Sequence, residues 1–85
     1  MAAYELQLLP SVKKDIQKIP KDDLKKILAR MESLRDDPRP PGSTKLSGLD
    51  HYRVRQGNYR IVYKIQDTRL VVIVIKVGHR RDIYH

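Results

Sequence analysis

Apolar residues recur along this chain in two different periods, and the switches between them outline its elements. Tyr4, Leu6 and Leu8 occupy alternate positions, with Glu5 and Gln7 between them, which predicts a first strand stopped by Pro10-Ser11. Ser11 is then placed to cap a short helix. Val12, Ile16 and Ile19 recur in it at helical spacing, with Lys13, Lys14, Asp15 and Lys18 on the other side. Pro20 ends that helix, and a second begins near Lys21. Its residues Leu24, Ile27, Leu28, Met31 and Leu34 form one apolar stripe. Asp22 and Asp23 in its first turn and Arg35 in its last suit the helix dipole, and Asp36-Asp37-Pro38 closes it. The two helices read as a hairpin.

Residues 38–48, crowded with Pro and Gly, read as a loop. The period of two returns from His51 to Gln56, Gly57-Asn58 supplies a hairpin turn of the II′ kind, and Tyr59 to Ile65 alternates back. Residues 66–69 form a second turn. Leu70 to Val77 is apolar except at Lys76, which predicts a strand inside the sheet, covered on both faces. The order is β-α-α-β-β-β. It predicts a single α+β domain over residues 1–85: an N-terminal strand, a helical hairpin, then a three-stranded antiparallel meander, in one mostly antiparallel sheet.

The turn at Gly57-Asn58 sets a register. Gln56 faces Tyr59, Arg55 faces Arg60, Val54 faces Ile61, Arg53 faces Val62 and Tyr52 faces Tyr63. Tyr52, Val54, Ile61 and Tyr63 then share a core face, and Arg53, Arg55 and Arg60 share the other. Like charges directly opposite across strands are destabilising, and neither strand carries an acid. Such a concentration of positive charge points to an anionic ligand; the alternative is a solvated charged face.

The overall charge agrees. The chain of 85 residues carries +8 with histidine neutral. Residues 43–85 hold nine cations against three anions, and arginine outnumbers lysine there six to three. Arginine suits bidentate phosphate recognition, so nucleic acid is the leading partner class. With no cysteine, disulfides, thiolate nucleophiles and cysteine-ligated zinc are excluded. The longest apolar run, Leu70 to Ile75, falls far short of the ~20 residues of a membrane helix, which predicts a soluble, cytoplasmic protein without membrane contact. Neither a Walker loop nor GxGxxG occurs, no Ser-His-Asp set is legible, and three scattered histidines make a poor metal site.

The final segment, Val77-Gly78-His79-Arg80-Arg81-Asp82-Ile83-Tyr84-His85, concentrates further chemistry. Arginines hold phosphate and stabilise developing charge. Tyrosine stacks on bases, and histidine moves protons near neutral pH. A frayed basic tail is the alternative, against which Ile83 offers an anchor.

These pieces together are distinctive. The β-α-α-β-β-β order, Lys45-Leu46-Ser47-Gly48, the strands Tyr52-Arg53-Val54-Arg55 and Tyr59-Arg60-Ile61-Val62-Tyr63, and the ending Val77 to Tyr84 resemble the RelE/ParE toxin superfamily, and within it the RelE-type mRNA interferases. The resemblance spans nearly the whole chain. It implies the toxin of a type II toxin–antitoxin system, a ribosome-dependent endoribonuclease. Such an enzyme enters the ribosomal A site and cuts mRNA by attack of a 2′-hydroxyl on the adjacent phosphate, with no metal and no cofactor. By position, the resemblance gives Arg60 the phosphate, Arg80 the leaving 5′-oxygen and Tyr84 the substrate nucleotide. Arg53 and Arg55 fall on basic strand positions, with His79 beside them; Arg81 and Lys45 add RNA-binding charge. A well-studied relative has lysines where this chain has Arg53 and Arg55. Arginine cannot be deprotonated, so the proton acceptor is His79 or His85, or the arginines act electrostatically and the ribosome supplies the rest. The family also implies a RelB-like antitoxin, in an oligomeric complex. A ParE-like inhibitor of DNA gyrase and a non-catalytic RNA-binding module are the competing readings on the same fold.

Overall fold

The computed structural model describes residues 3–46, 48 and 50–79. β1 (Glu5–Leu8) leads into α1 (Pro10–Ile16) and α2 (Lys21–Ser33). β2 (Thr44–Lys45), β3 (His51–Gln56), β4 (Tyr59–Gln66) and β5 (Val71–His79) follow. The five strands form one sheet in the order β1-β5-β4-β3-β2. β1 runs parallel to β5, and every other pairing is antiparallel. This is the α+β architecture that the pattern predicts, with one strand more.

Local chemistry explains the element boundaries. α1 starts one residue before Ser11: Pro10 takes the first helical turn, where its missing N–H is not needed, and Leu9 is the extended residue before it. Ser11 therefore lies inside the helix and caps nothing. Arg35 falls beyond the end of α2, so it does not serve the helix terminus. It donates from Nε to the Tyr4 carbonyl at 3.0 Å and pairs with Glu32 at 2.6 Å, tying α2 to the start of β1. The β3–β4 register is the predicted one at every pair from Tyr52↔Tyr63 to Gln56↔Tyr59. Gly57 has φ +60° while Asn58 stays negative, as a II′ turn requires.

Val12, Ile27, Met31 and Leu34 from the helices meet Val54, Ile61, Tyr63, Val72, Val74 and Val77 from the sheet in one buried core. The spacing from Val74 to Val77 breaks the period of two. A bulge opposite Val62/Tyr63 absorbs the extra residue and returns Val77 to the core face. Leu28 belongs to the predicted stripe of α2 but is 43% exposed, because that stripe is wider than the strip touching the sheet. Leu70 lies outside β5. It is a turn residue in the left-handed region, φ +53°.

β2 is the strand that the pattern misses. Two exposed residues offer no legible alternation, and their strand character comes from pairing Thr44 with Arg53 and Lys45 with Tyr52. No helix among the described residues is long and apolar enough to cross a membrane.

Candidate nucleic-acid interface

Arg55 and Arg60 are directly opposed on β3 and β4, and Arg53 stands two residues along on the same face. They line a groove of about 370 Å3 together with Arg30, Gly42 and Thr44. No carboxylate is among these lining residues. Arg60 is buried, with 2% of its surface exposed, while Arg55 is exposed and Arg53 half-buried. Thr44 reaches the groove because β2 sets it opposite Arg53. Gly42 turns the chain toward β2 with φ +91°, a conformation that favours glycine.

Arg30 is the residue that the sequence pattern does not single out. On a helix read alone, one cation among many looks like a solvated position. Only packing brings it to the rim of the arginine strands.

Two predicted residues go elsewhere. Lys45 pairs with Tyr52, so the pleat puts it on the face opposite Arg53. His79 pairs with Tyr59 and lies edge-on to its ring, centroids 5.6 Å apart at 73°. It lines a separate cleft of about 280 Å3 with Asp15, Lys18, Ile19, Tyr59, Lys76, Val77 and Gly78. The same alternation that gathers the three strand arginines carries Tyr59 and His79 to the other face. Arg80, Arg81, Tyr84 and His85 lie outside the described residues.

A polar brace holds the groove's loop. Asp67, in the β4–β5 turn, accepts two hydrogen bonds from Arg39, at 3.2 and 2.9 Å, and one from the Tyr4 hydroxyl at 2.9 Å. Arg39 also donates from Nε to the Tyr52 hydroxyl at 3.1 Å. Tyr52 stacks on Tyr63, centroids 5.9 Å apart, and the Tyr63 hydroxyl donates to the Pro38 carbonyl at 2.7 Å. Pro38 and Arg39, where the chain leaves α2, are thus pinned to the sheet, and the segment leading to Gly42 and Thr44 is pinned with them. The bonds from Arg39, and then from Tyr4, hold the Asp67 carboxyl below its ordinary pKa. The bond to Asp67 raises the Tyr4 phenol, and burial pushes Tyr63 up to about 12.

Known proteins are similar to this chain in sequence and in fold. The sequence profile of a family described as "ParE toxin of type II toxin-antitoxin system, parDE" matches residues 6–84. The chain belongs to the RelE/ParE toxin superfamily. A putative RelE-like toxin protein of Escherichia coli is 30% identical over 96% of this chain and 90% of its own. A putative toxin RelE1 of Methanocaldococcus jannaschii is 29% identical over 95% of this chain and 94% of its own. The RelE–RelB complex of Pyrococcus horikoshii contains a chain similar in structure, with a TM-score of 0.83 and 28% identity. That match covers 92% of this chain and 96% of the other. This protein is thus a type II toxin of RelE type. In these terms the arginine groove is a feature of a toxin domain, on the sheet face away from the helix-packed core.

Proposed function

We propose that this toxin is a ribosome-dependent endoribonuclease that cleaves mRNA in the A site. The observation that carries the reading is the groove itself: among the described residues, arginines from three elements line it and no carboxylate does. In the proposed step the 2′-oxygen attacks the adjacent phosphorus and the P–O5′ bond breaks. A 2′,3′-cyclic phosphate and a 5′-hydroxyl end remain. Arg53, Arg55 and Arg60 bind the phosphodiester and stabilise the charge that gathers on its oxygens in the transition state. Among the described residues, the groove's lining offers no imidazole or carboxylate to take the 2′-proton. That proton passes to His85, which lies outside the described residues, to water or to the ribosome, and the leaving 5′-oxygen takes one up. Arg80 and Tyr84 keep the roles implied by the family resemblance, at the leaving oxygen and the nucleotide.

The reading includes a partner. Relatives of this chain are known in complex with RelB antitoxins, and a RelB-like antitoxin that covers the basic face is the proposed regulator, in an oligomeric complex. The site of action is the cytoplasm, where translating ribosomes are found.

Cleavage of a defined mRNA by the purified chain, with and without programmed ribosomes and mapped by primer extension, tests the reading. A cut confined to the A-site codon and dependent on ribosomes is the expected result. No cut in either arm by folded protein overturns it in favour of gyrase inhibition or plain RNA binding.

A further inference from the structure

The groove holds one guanidinium more than the β3–β4 hairpin supplies. Arg30 comes from the last turn of α2, yet lines the same cavity as Arg53, Arg55 and Arg60. Its Nε is buried and has no hydrogen-bond partner. A buried donor left unmet is uncommon in a folded protein and asks for an explanation.

Among the described residues, no acid pairs with Arg30. The positions three and four residues away on the helix are Lys26, Ile27, Ser33 and Leu34, so no acid stands at ion-pairing spacing. The Glu32 carboxylate is engaged by Arg35, and Asp67 by Arg39. A cation near a helix C-terminus is favourable in its own right. That accounts for a positive charge in the last turn of α2, but not for an arginine whose Nε is buried without an acceptor.

Charge decides what fits. A phosphodiester carries one negative charge, and one arginine fork can engage two of its oxygens. Arg30 stands on α2, apart from the strand arginines that hold the scissile phosphate in the reading above, so its fork is placed for a different phosphate. The two positions match successive phosphates of one strand.

We propose that Arg30 is a further RNA-contacting residue, holding a backbone phosphate next to the one held by the strand arginines, so that the groove grips a strand rather than a single scissile group. This rests on the ribonuclease reading above. The phosphate belongs either to the message or to ribosomal RNA, and the chemistry of the contact is the same.

The test measures binding of the full chain to ribosomes across a series of salt concentrations. One arm uses ribosomes programmed with a message carrying a 2′-deoxy substitution in the A-site codon, and the other uses ribosomes without message. Arg30→Gln is expected to weaken binding about tenfold. It is also expected to reduce the slope of log affinity against log salt by about 0.7, the loss of one phosphate contact on a single strand. An effect confined to programmed ribosomes assigns the contact to the message, and an equal effect in both arms assigns it to ribosomal RNA. Arg30→Met, which keeps an unbranched stem, gives the same reading if the glutamine variant fails to fold. Unchanged affinity and slope in both arms, with the parent chain binding well, overturn the Arg30 contact alone. If the parent chain itself does not bind programmed ribosomes, the ribonuclease reading falls first and this inference with it.

Discussion

Arg55 and Arg60 face each other directly across β3 and β4, and the fold treats them differently: Arg60 is buried in the sheet, whereas Arg55 is exposed. Two like charges so placed repel. Replacing Arg55 by Thr relieves the repulsion and adds a good strand former, so stability should rise by about 0.5 kcal/mol. A-site cleavage should fall at the same time. Arg60→Gln should lower the cleavage rate more, by about 10²–10³-fold, since it removes a fixed donor from the phosphate site. Urea denaturation and single-turnover cleavage on programmed ribosomes check both variants. An Arg55 variant that is less stable than the parent would contradict the repulsion argument.

The carboxylate of Asp67 joins β1, the β4–β5 turn and the loop after α2 through its bonds to Tyr4 and Arg39. Its pKa is lowered in the folded state, chiefly by the bond from Arg39. The sign follows from linkage: the contribution is present above the ordinary carboxylate pKa and is lost as pH falls through the folded value. Asp67→Asn should therefore lower the Tm at pH 7, and the gap to the parent should close as pH drops below about 4. The exposed pair is screened by salt, so the gap should also shrink at high ionic strength. Thermal melts of both proteins across that range decide it; a gap that stays constant with pH removes Asp67 from the account.

Tyr63 behaves in the opposite sense. Burial pushes its phenol up to about 12, above the ordinary value of 10.0. The neutral form is favoured in the folded chain, so the associated stability is complete below pH 10 and is lost as pH rises toward 12. Tyr63→Phe removes the hydrogen bond to the Pro38 carbonyl and should cost about 0.5–1.5 kcal/mol at pH 7. Between pH 10 and 12 it should flatten the alkaline loss. Denaturant titrations at pH 7, 10 and 11.5 would show this.

Leu70 holds φ +53° at the entry to β5 and is 47% exposed. The conformation is useful, because the Leu70 carbonyl accepts the Glu5 N–H at 2.8 Å and starts the parallel β1–β5 pairing. A leucine in this region is strained by about 1–2 kcal/mol, and asparagine tolerates it better. Leu70→Asn should stabilise the domain by about 0.5–1 kcal/mol, even though a leucine is lost. Equal or lower stability by chemical denaturation would show that the exposed side chain contributes more than the backbone strain costs.

The sequence by itself determined what short-range periodicity can specify. Gly57-Asn58 and alternation on both sides of it determined the β3–β4 register, and the register determined that Arg53, Arg55 and Arg60 share one face. Helical spacing likewise picked out Val12, Ile27, Met31 and Leu34 as core. Only the tertiary structure decided the rest. β2 exists because β3 offers it a partner, and two residues carry no period of their own. The bulge opposite Val62/Tyr63 shifts the β5 pattern by a step that no run of valines and isoleucines marks. The brace joins Tyr4 to Asp67 across 63 positions and Arg39 to Asp67 across 28, a meeting set by packing and not by spacing. For the same reason Arg30 arrived in the groove unannounced, while Lys45 and His79 went to the far side of the pleat. Periodicity fixes which face of its own element a residue takes. Which faces then meet depends on how helices and strands pack, and that is a property of the whole chain.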